Sequence, residues 1–288
     1  MNYTILFPSE FDNIKVVDDN FKLEFNACKL LGISTALFDH DLFVSDDVLK
    51  ITSIRHHDLV ILRGWMLNKK QYYSLYDKLR EKPKYLELLN NPQQYLYSHY
   101  FPNILQDIKS DCIPVNCWFH QKDMNDELID AIQGNINTDI IIKDFVKSEK
   151  GTDLFKIDKD VAKIDLKNIV NKFIKQRQPL FNEGIVLKEF VDLKKYNKLT
   201  NEWRVFYLFG QVVTVGLNIN EKMSLSPPPD SLIFKMENIK RSNFYTIDFV
   251  ELETGEWKIL EAGDGQVSGL APYQYEIDFY SQMNDILK

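Results

Sequence analysis

The stretch TIDFVELETGEWKILEAGDGQVSGL, Thr246–Leu270, decides how this chain reads. Two runs of strand-forming residues flank Thr254-Gly255, a two-residue hairpin signal. With that turn Glu253 faces Glu256, and counting back along both strands sets Asp248 directly opposite Glu261. Alternate residues of a strand share a face. Asp248 then lies with Val250 and Leu252, and Glu261 with Ile259 and Trp257, while Glu251, Glu253, Glu256 and Lys258 take the other face. Both carboxylates fall on the apolar side. Directly opposed residues have Cβ atoms about 5 Å apart. Two carboxylates so placed repel by roughly 3 kcal/mol at an effective dielectric near 20, and burial adds a desolvation cost. Such a pair can share a proton, meet an unseen Lys or Arg, or bind a cation. Carboxylate oxygens suit Mg²⁺, which typically takes one or two of them together with substrate phosphates.

Upstream strands carry charges on apolar faces in the same way. In DIIIKDFVKSEKG (139–151), Lys143 shares a face with Ile141 and Phe145, and Lys147 has the same parity. Two ammonium groups so spaced can grip different parts of one extended anion, or can simply protect an edge strand. In GIVLKEFVDL (184–193), Lys188 lies with Val186 and Phe190, and Glu189 with Ile185 and Leu187. In NEWRVFYLFG (201–210), Glu202 and Arg204 share a face with Phe206 and Leu208, an arrangement that an ion pair within the strand also explains. Charges of both signs on successive apolar faces suit a nucleotide triphosphate with its metals: cations for phosphates, anions for Mg²⁺.

The first 120 residues alternate strand-like and helix-like patterns. Strands are expected at Tyr3–Phe7, Ile33–Phe38 and Leu59–Leu62. Helices are expected around Phe21, Phe25, Cys28 and Leu31, capped by Asp18 or Asp19 and stopped by Gly32, and around Tyr72, Tyr76 and Leu79. This rhythm predicts a small parallel sheet. Pro92, Pro102 and Pro114 punctuate a less regular stretch, and the domain boundary is placed at about residue 120, giving domains 1–120 and 121–288. Beyond it, a helix over Val161–Arg177 precedes strands at Gly184–Val191, Glu202–Phe209, Gln211–Gly216, Phe244–Leu252 and Glu256–Glu261. Strands that follow one another without helices predict antiparallel sheet, so the second half reads as α+β.

The chain has 288 residues, is 44% hydrophobic, and carries 42 acidic against 35 basic side chains. The acidic excess argues against nucleic acid as a partner, because phosphate-backbone affinity comes from Lys and Arg. Three cysteines, Cys28, Cys112 and Cys117, without a CxxC spacing argue against a disulfide framework and for a reducing, cytoplasmic setting. There is no membrane-length apolar run and no signal-peptide pattern at the start. The absence of Walker, GxGxxG and GxSxG motifs lowers the case for P-loop enzymes, dehydrogenases and serine hydrolases. His56 and His57 lie in a polar turn and read as surface residues.

Together these stretches resemble the ATP-grasp superfamily, closest to a bacterial and phage clade with endings of the GDGQVSGL kind. The resemblance covers most of the chain: the lysine strand and its loop, the hinge strand GIVLKEFVDL, the E-x-R strand EWRVFYLFGQVV, the paired metal strands, and RGWML (63–67) in the preceding α/β domain. It implies a Rossmann-like N-terminal domain followed by an ATP-grasp domain with antiparallel sheets. It also implies ATP and Mg²⁺ or Mn²⁺ as cofactors, and a ligase that joins a small-molecule or peptide carboxylate to an amine, or less often a thiol, through an acyl-phosphate. Alternatives are a phosphotransferase on the same site and a nucleotide-binding module that has lost catalysis. Carried over position by position, Lys143 contacts ATP phosphates with help from Lys147, and Lys188 lies on the nucleotide-binding strand. Glu189, Phe190 and Val191 form the adenine hinge, Asp192 meets the ribose, Arg204 faces the phosphates or the acyl-phosphate, and Asp248 and Glu261 hold the metal. The family's Glu-x-Asn ending is absent, with Gly263 in the Asn place. Asp264 is the candidate substitute ligand, although its parity points it away unless the strand bends at Gly263. The family's linker lysine is not evident either; Tyr97, Ser98, His99 and Tyr100 occupy its neighbourhood. On the acceptor side, Arg63 closes a parallel strand, where ligands of open α/β sheets bind. Arg63 and Ser268 are therefore expected to face each other across the interdomain cleft and hold the substrate carboxylate, unless Arg63 pairs with a local acid such as Asp58 and braces the domain.

Overall fold

The computed structural model describes residues 2–54, 59–81, 85–120, 127–146, 155–177, 181, 183–221 and 223–288. In the N-terminal part, β1 (Tyr3–Glu10), β3 (Thr35–Phe38), β4 (Leu59–Leu62) and β5 (Glu87–Leu88) form a parallel sheet in the order β3-β1-β4-β5. Helices α1 (Lys22–Leu30), α2 (His40–Asp46) and α3 (Lys69–Arg80) make the crossovers. This is the parallel sheet that the alternating pattern predicted. The short β2 (Asn13–Val17), antiparallel to the end of β1, was not foreseen. A 3-10 turn over Asp19–Phe21, capped by the Asp18 carboxylate, leads into α1, and the chain leaves that helix through Gly32 in the left-handed region.

The proline-rich stretch is more regular than it reads. Helices α4 (Pro92–His99) and α5 (Phe101–Ile108) each carry a proline in the first turn, where the missing N–H costs nothing. Asn91 and Gln94 close a capping box on α4. Next come β6 (Val115–His120), α6 (Glu127–Gln133), β7 (Ile140–Asp144), β8 (Lys156–Ile157), α7 (Lys163–Arg177) and β9 (Gly184–Glu189). These strands form a four-stranded antiparallel sheet, β6-β9-β7-β8. Because β6 pairs with β9, Val115–His120 lies in the same sheet as the strands that follow it.

A small hairpin, β10 (Lys195–Tyr196) and β11 (Leu199–Thr200), leads into the second antiparallel sheet. That sheet contains β12 (Glu202–Leu208), β13 (Gln211–Leu217), β14 (Phe244–Glu251) and β15 (Trp257–Asp264) in the order β13-β12-β14-β15. Helix α8 (Asp230–Lys235) lies between β13 and β14, and α9 (Glu276–Leu287) closes the chain. Every residue of β14 is buried, so both faces of this sheet are covered. One face, carrying Val205, Tyr207, Tyr245, Ile247, Phe249 and Ile259, packs on α5. Phe206, Leu208 and Phe244 on the other face share a core with Phe7 and Ile61 of the parallel sheet and with Phe279 and Tyr280 of α9. The parallel and antiparallel halves are therefore joined by one apolar layer.

Candidate active site

Asp248 lies opposite Glu261, the register expected from the sequence, but two offsets combine to produce it. The turn is one residue longer than expected: Leu252 N–H donates to Glu256 O, and Gly255 takes φ 85°. The lower hairpin thus pairs Glu251 with Trp257 and Phe249 with Ile259. A bulge at Leu260 then restores Asp248 to Glu261. The bulge also corrects the face assignment. Ile259 is opposite Phe249 in the core against α5, so Glu261 does not share its side with Ile259 and Trp257. It shares the side of Asp248, Thr246 and Arg204.

Arg204 is opposite Asp248 on β12, so Glu261, Asp248 and Arg204 form one row across three strands. Arg204 grips Asp248 with two bonds, Nε to Oδ1 at 2.8 Å and Nη2 to Oδ2 at 2.7 Å, and Nη1 donates to Gly269 O at 2.8 Å. The expected alternative for this strand, an ion pair of Arg204 with Glu202, gives way to this cross-strand fork. Burial alone would lower the Arg204 pKa, but the Asp248 carboxylate raises it above the ordinary value. From the other sheet, Lys143 donates to Glu261 Oε1. Burial would lower the Lys143 pKa too, and Glu261 reverses the shift. Lys143 is opposite Val186, and Lys188 is opposite Ile141, so both lysines share the face of their sheet that looks toward β15. Lys188 donates to the carbonyl of the bulged Leu260 and lies 4.3 Å from the centre of the Phe101 ring. Its pKa is lowered, first by burial. Lys143, Lys188, Val186, Phe101, Val146 and Glu261 line a narrow cleft between the two sheets.

Glu189, Phe190, Val191 and Asp192 lead the chain from one sheet to the other. Glu189 N–H donates to Pro114 O and Phe190 N–H to Asp139 O. Asp192 O accepts from Glu253 N–H, and Leu193 bridges to Leu252. Lys156 lies 4.5 Å from the Phe190 ring centre. Among the described residues the Val191 N–H has no acceptor. Asp192 is exposed. Lys147, His56, His57 and Asp58 lie outside the described residues.

Two expectations change. The strand does not bend at Gly263: Asp264 pairs with Tyr245, and its side chain points away from Glu261. Its carboxylate accepts from Asn90 Nδ2 at 2.6 Å, Ser98 Oγ at 3.0 Å and Gln266 N–H at 2.9 Å. These donors already use its oxygens, so a role as metal ligand is not carried forward. Arg63 and Ser268 do meet, but not as a substrate clamp. Arg63 is 1% exposed and forks onto Glu24 with both bonds at 2.9 Å. Its Nη1 donates to the carbonyls of Gly265 and Ser268, and its guanidinium carbon lies 5.4 Å from the Phe279 ring centre. Four of its five N–H groups are used, none on a free surface. The bracing alternative is the one observed, with Glu24 as the acid. The Gly263–Gly269 run is likewise bonded internally. Gly265 N–H donates to Phe244 O, and the Ser268 hydroxyl is held by Asp264 O at 2.7 Å and Thr246 Oγ1 at 3.0 Å.

The reading of this row as a nucleotide site also missed Glu202 and its neighbour Asn218. Glu202 has the parity of Arg204, a signal open to the sequence. Asn218 lies just past the end of β13, and only the strand pairing brings it alongside.

The family model described as ATP-grasp domain, R-2-K clade family 3, matches residues 133–283, just over half of the 288-residue chain. No curated protein sequence matches. Among solved structures the chain is similar to the D-cycloserine synthetase DcsG, with TM-score 0.64, 11% identity, and 99% of this chain and 100% of that one covered. It is similar to the macrocyclase MdnC of Microcystis aeruginosa bound with precursor peptide MdnA, with TM-score 0.59, 13% identity and coverage of 99% and 100%. It is also similar to the ATP-grasp ligase PsnB complexed with a minimal precursor, Mg and ADP, with TM-score 0.54, 12% identity and coverage of 98% and 97%. At these identities the likeness concerns the fold, and it extends over the whole chain, beyond the part that the family model matches. The chain belongs to the ATP-grasp superfamily, in family 3 of the R-2-K clade.

Proposed function

We propose that the protein is an ATP- and Mg²⁺-dependent ligase that joins a carboxylate to an amine, or to a thiol, through an acyl-phosphate. The observation that supports this reading is the row Lys143–Glu261–Asp248–Arg204, in which two adjacent carboxylates are flanked by one cation from each of two facing sheets. Each charge is now matched by its neighbour. A triphosphate with a divalent cation offers every member of the row an exchange partner, so the exchange leaves no buried charge uncompensated. Among the described residues no three His, Cys, Asp or Glu side chains converge as a metal centre. Two carboxylates suffice for Mg²⁺, which takes its remaining ligands from phosphate and water.

In this reading Asp248 and Glu261 hold Mg²⁺, while Lys143 and Arg204 turn to phosphate oxygens. The free Val191 N–H meets the adenine at the hinge formed by Glu189, Phe190 and Val191, and exposed Asp192 lies where a ribose would. Lys188 fixes the bulge that aims Glu261. Bound Mg²⁺ neutralises charge on the phosphoryl group in transfer. The chain's own contribution is positioning and charge neutralisation rather than a protein nucleophile. The similar proteins act on small molecules or carry precursor peptides, so the acid is sought in both classes. No described helix is long and apolar enough to cross a membrane. A cytoplasmic setting is part of this reading, and the three cysteines are free thiols.

The test is to incubate the protein with ATP, Mg²⁺, pools of amino acids and peptides, and hydroxylamine. A ligase yields ADP and an acyl hydroxamate. A phosphotransferase yields ADP and a phosphorylated product that hydroxylamine leaves intact. A protein that binds no nucleotide sinks the proposal.

A further inference from the structure

The face carrying Arg204 and Asp248 continues along β12 to the first residue of that strand. Glu202 precedes Arg204 by two residues on β12 and is opposite Val250. Asn218 follows β13 and donates its backbone N–H to Glu202 O at 2.7 Å. The Asn218 side-chain Nδ2 donates to Glu202 Oε1. Asn218 is 7% exposed, yet its Oδ1 has no hydrogen-bond partner among the described residues. A buried amide oxygen left unmatched is costly, and this one adjoins the Glu202 carboxylate, which no Lys or Arg among the described residues bonds. Arg204 is committed to Asp248 and Gly269, and Lys143 to Glu261. Among the described residues the charged groups around Glu202 are Arg204 of its own strand, Asp248 of β14, Glu261 of β15 and Lys143 of β7. Burial first, then the Asp248 and Glu261 charges, push the Glu202 carboxyl up to about 7, against the Asn218 hydrogen bond and Arg204. Two acceptors side by side, one anionic and one unmatched, fit a ligand with several N–H donors and a positive charge.

We infer that Glu202 and the Asn218 Oδ1 seat the acceptor amine, which enters as a primary ammonium on the side of Arg204 away from the metal carboxylates. This rests on the ligase reading above. The ammonium gives one proton to the Glu202 carboxylate, and the freed nitrogen lone pair attacks the acyl carbon. The C–N bond forms as the bond from that carbon to the phosphate oxygen breaks. The oxygen leaves with its electron pair as inorganic phosphate and takes the second nitrogen proton, and Glu202 returns its own proton to water.

Trp203 lies between Glu202 and Arg204 and donates to Asn201 Oδ1 at 2.8 Å, so tryptophan fluorescence offers a local reporter. The full chain, saturated with Mg²⁺ and ADP, is titrated with glycinamide, a primary ammonium, and with neutral N-acetylglycinamide. The expected result is saturable binding of glycinamide only. Glu202→Gln and Asn218→Leu should each weaken it by about tenfold or more, a loss of about 1.4 kcal/mol, while ADP affinity stays within about threefold. Asn218→Asp, which keeps an acceptor, should retain binding; it also serves if Asn218→Leu fails to fold. Equal binding of the two probes, no binding of glycinamide to the wild type, or binding unchanged in the folded variants overturns the proposal. A protein that binds Mg²⁺–ADP but not glycinamide refutes this inference alone, whereas one that binds no nucleotide refutes the reading on which it rests.

Discussion

Single residues in this protein show how one kind of charge can serve two ends. Lys143 meets Glu261 in the cleft, with side-chain exposures of 22% and 15%, and is open enough to exchange its partner for a phosphate. Lys143→Ala should therefore lower ATP affinity by about tenfold to a hundredfold, the loss of one charge-assisted hydrogen bond. Calorimetry on a variant shown to be folded, with affinity unchanged, would remove Lys143 from the site. Arg63 is the opposite case. It is buried and held by Glu24, Gly265 and Ser268 beneath α9, so its loss should be felt in stability. Arg63→Ala leaves Glu24 as an unpaired buried anion and should cost about 3–5 kcal/mol. Paired replacement, Arg63→Met with Glu24→Leu, should cost much less, and urea unfolding of the two proteins measures the difference. The sequence had placed Arg63 beside Ser268, which is where it lies, but assigned it to substrate. The missing partner was partly visible: Glu24 is one helical turn before Cys28, on the buried stripe of α1. A charged residue on such a stripe calls for a buried counter-charge, and Arg63 on an apolar strand end is the complement.

At the scale of elements, periodicity was enough to find most strands, because alternation on a half-buried surface is a local property. Irregularities that depend on packing were hidden. Pro92 and Pro102 read as breaks but open helices, since only the first turn tolerates a proline and one sequence does not show where that turn begins. The β14–β15 hairpin is the sharper lesson. Turn and bulge shift the register by one residue each, in opposite senses, so the Asp248–Glu261 pairing came out as expected while the face of Ile259 did not. Nothing local marks the bulge; the Lys188 bond to the Leu260 carbonyl, from another sheet, helps fix it. The longer turn, by contrast, depends on Gly255, whose φ of 85° lies in the left-handed region and whose Cβ would meet nothing within 4 Å. Gly255→Ala should thus destabilise through backbone strain alone, by about 1 kcal/mol, and Gly255→Asn by less, because Asn tolerates that conformation. Equal thermal midpoints for Gly255→Ala and the wild type would show that the turn relaxes.

Across the whole molecule the two halves are tied by polar as well as apolar contacts, and the polar tie gives stability a pH dependence. Asp264, at the end of β15, is fully buried and takes hydrogen bonds from Asn90 and Ser98 of the preceding segment and from Gln266. Asn90 also holds Phe244 O at 2.9 Å and Ser242 Oγ at 3.1 Å. None of these partners is a cation. Burial therefore pushes the Asp264 carboxyl up to about 7, and the donors offset only part of the shift. The folded protein then holds a proton that the unfolded chain, with an ordinary carboxyl near 4, gives up. Between about pH 4 and pH 7 the native state binds more protons at this site, so its contribution to stability falls as pH rises and levels off above about 7. Glu202 and Asp144, raised to about 7 and about 6 first by burial, act in the same sense. The wild type alone would not isolate Asp264, but its difference from Asp264→Asn does. That variant lacks the titrating group and should lose less stability than the wild type between pH 4.5 and pH 7, whatever its absolute stability. Urea midpoints measured at intervals across that window test this. Parallel curves for the two proteins would mean that Asp264 stays ionised throughout, its three neutral donors fully replacing water.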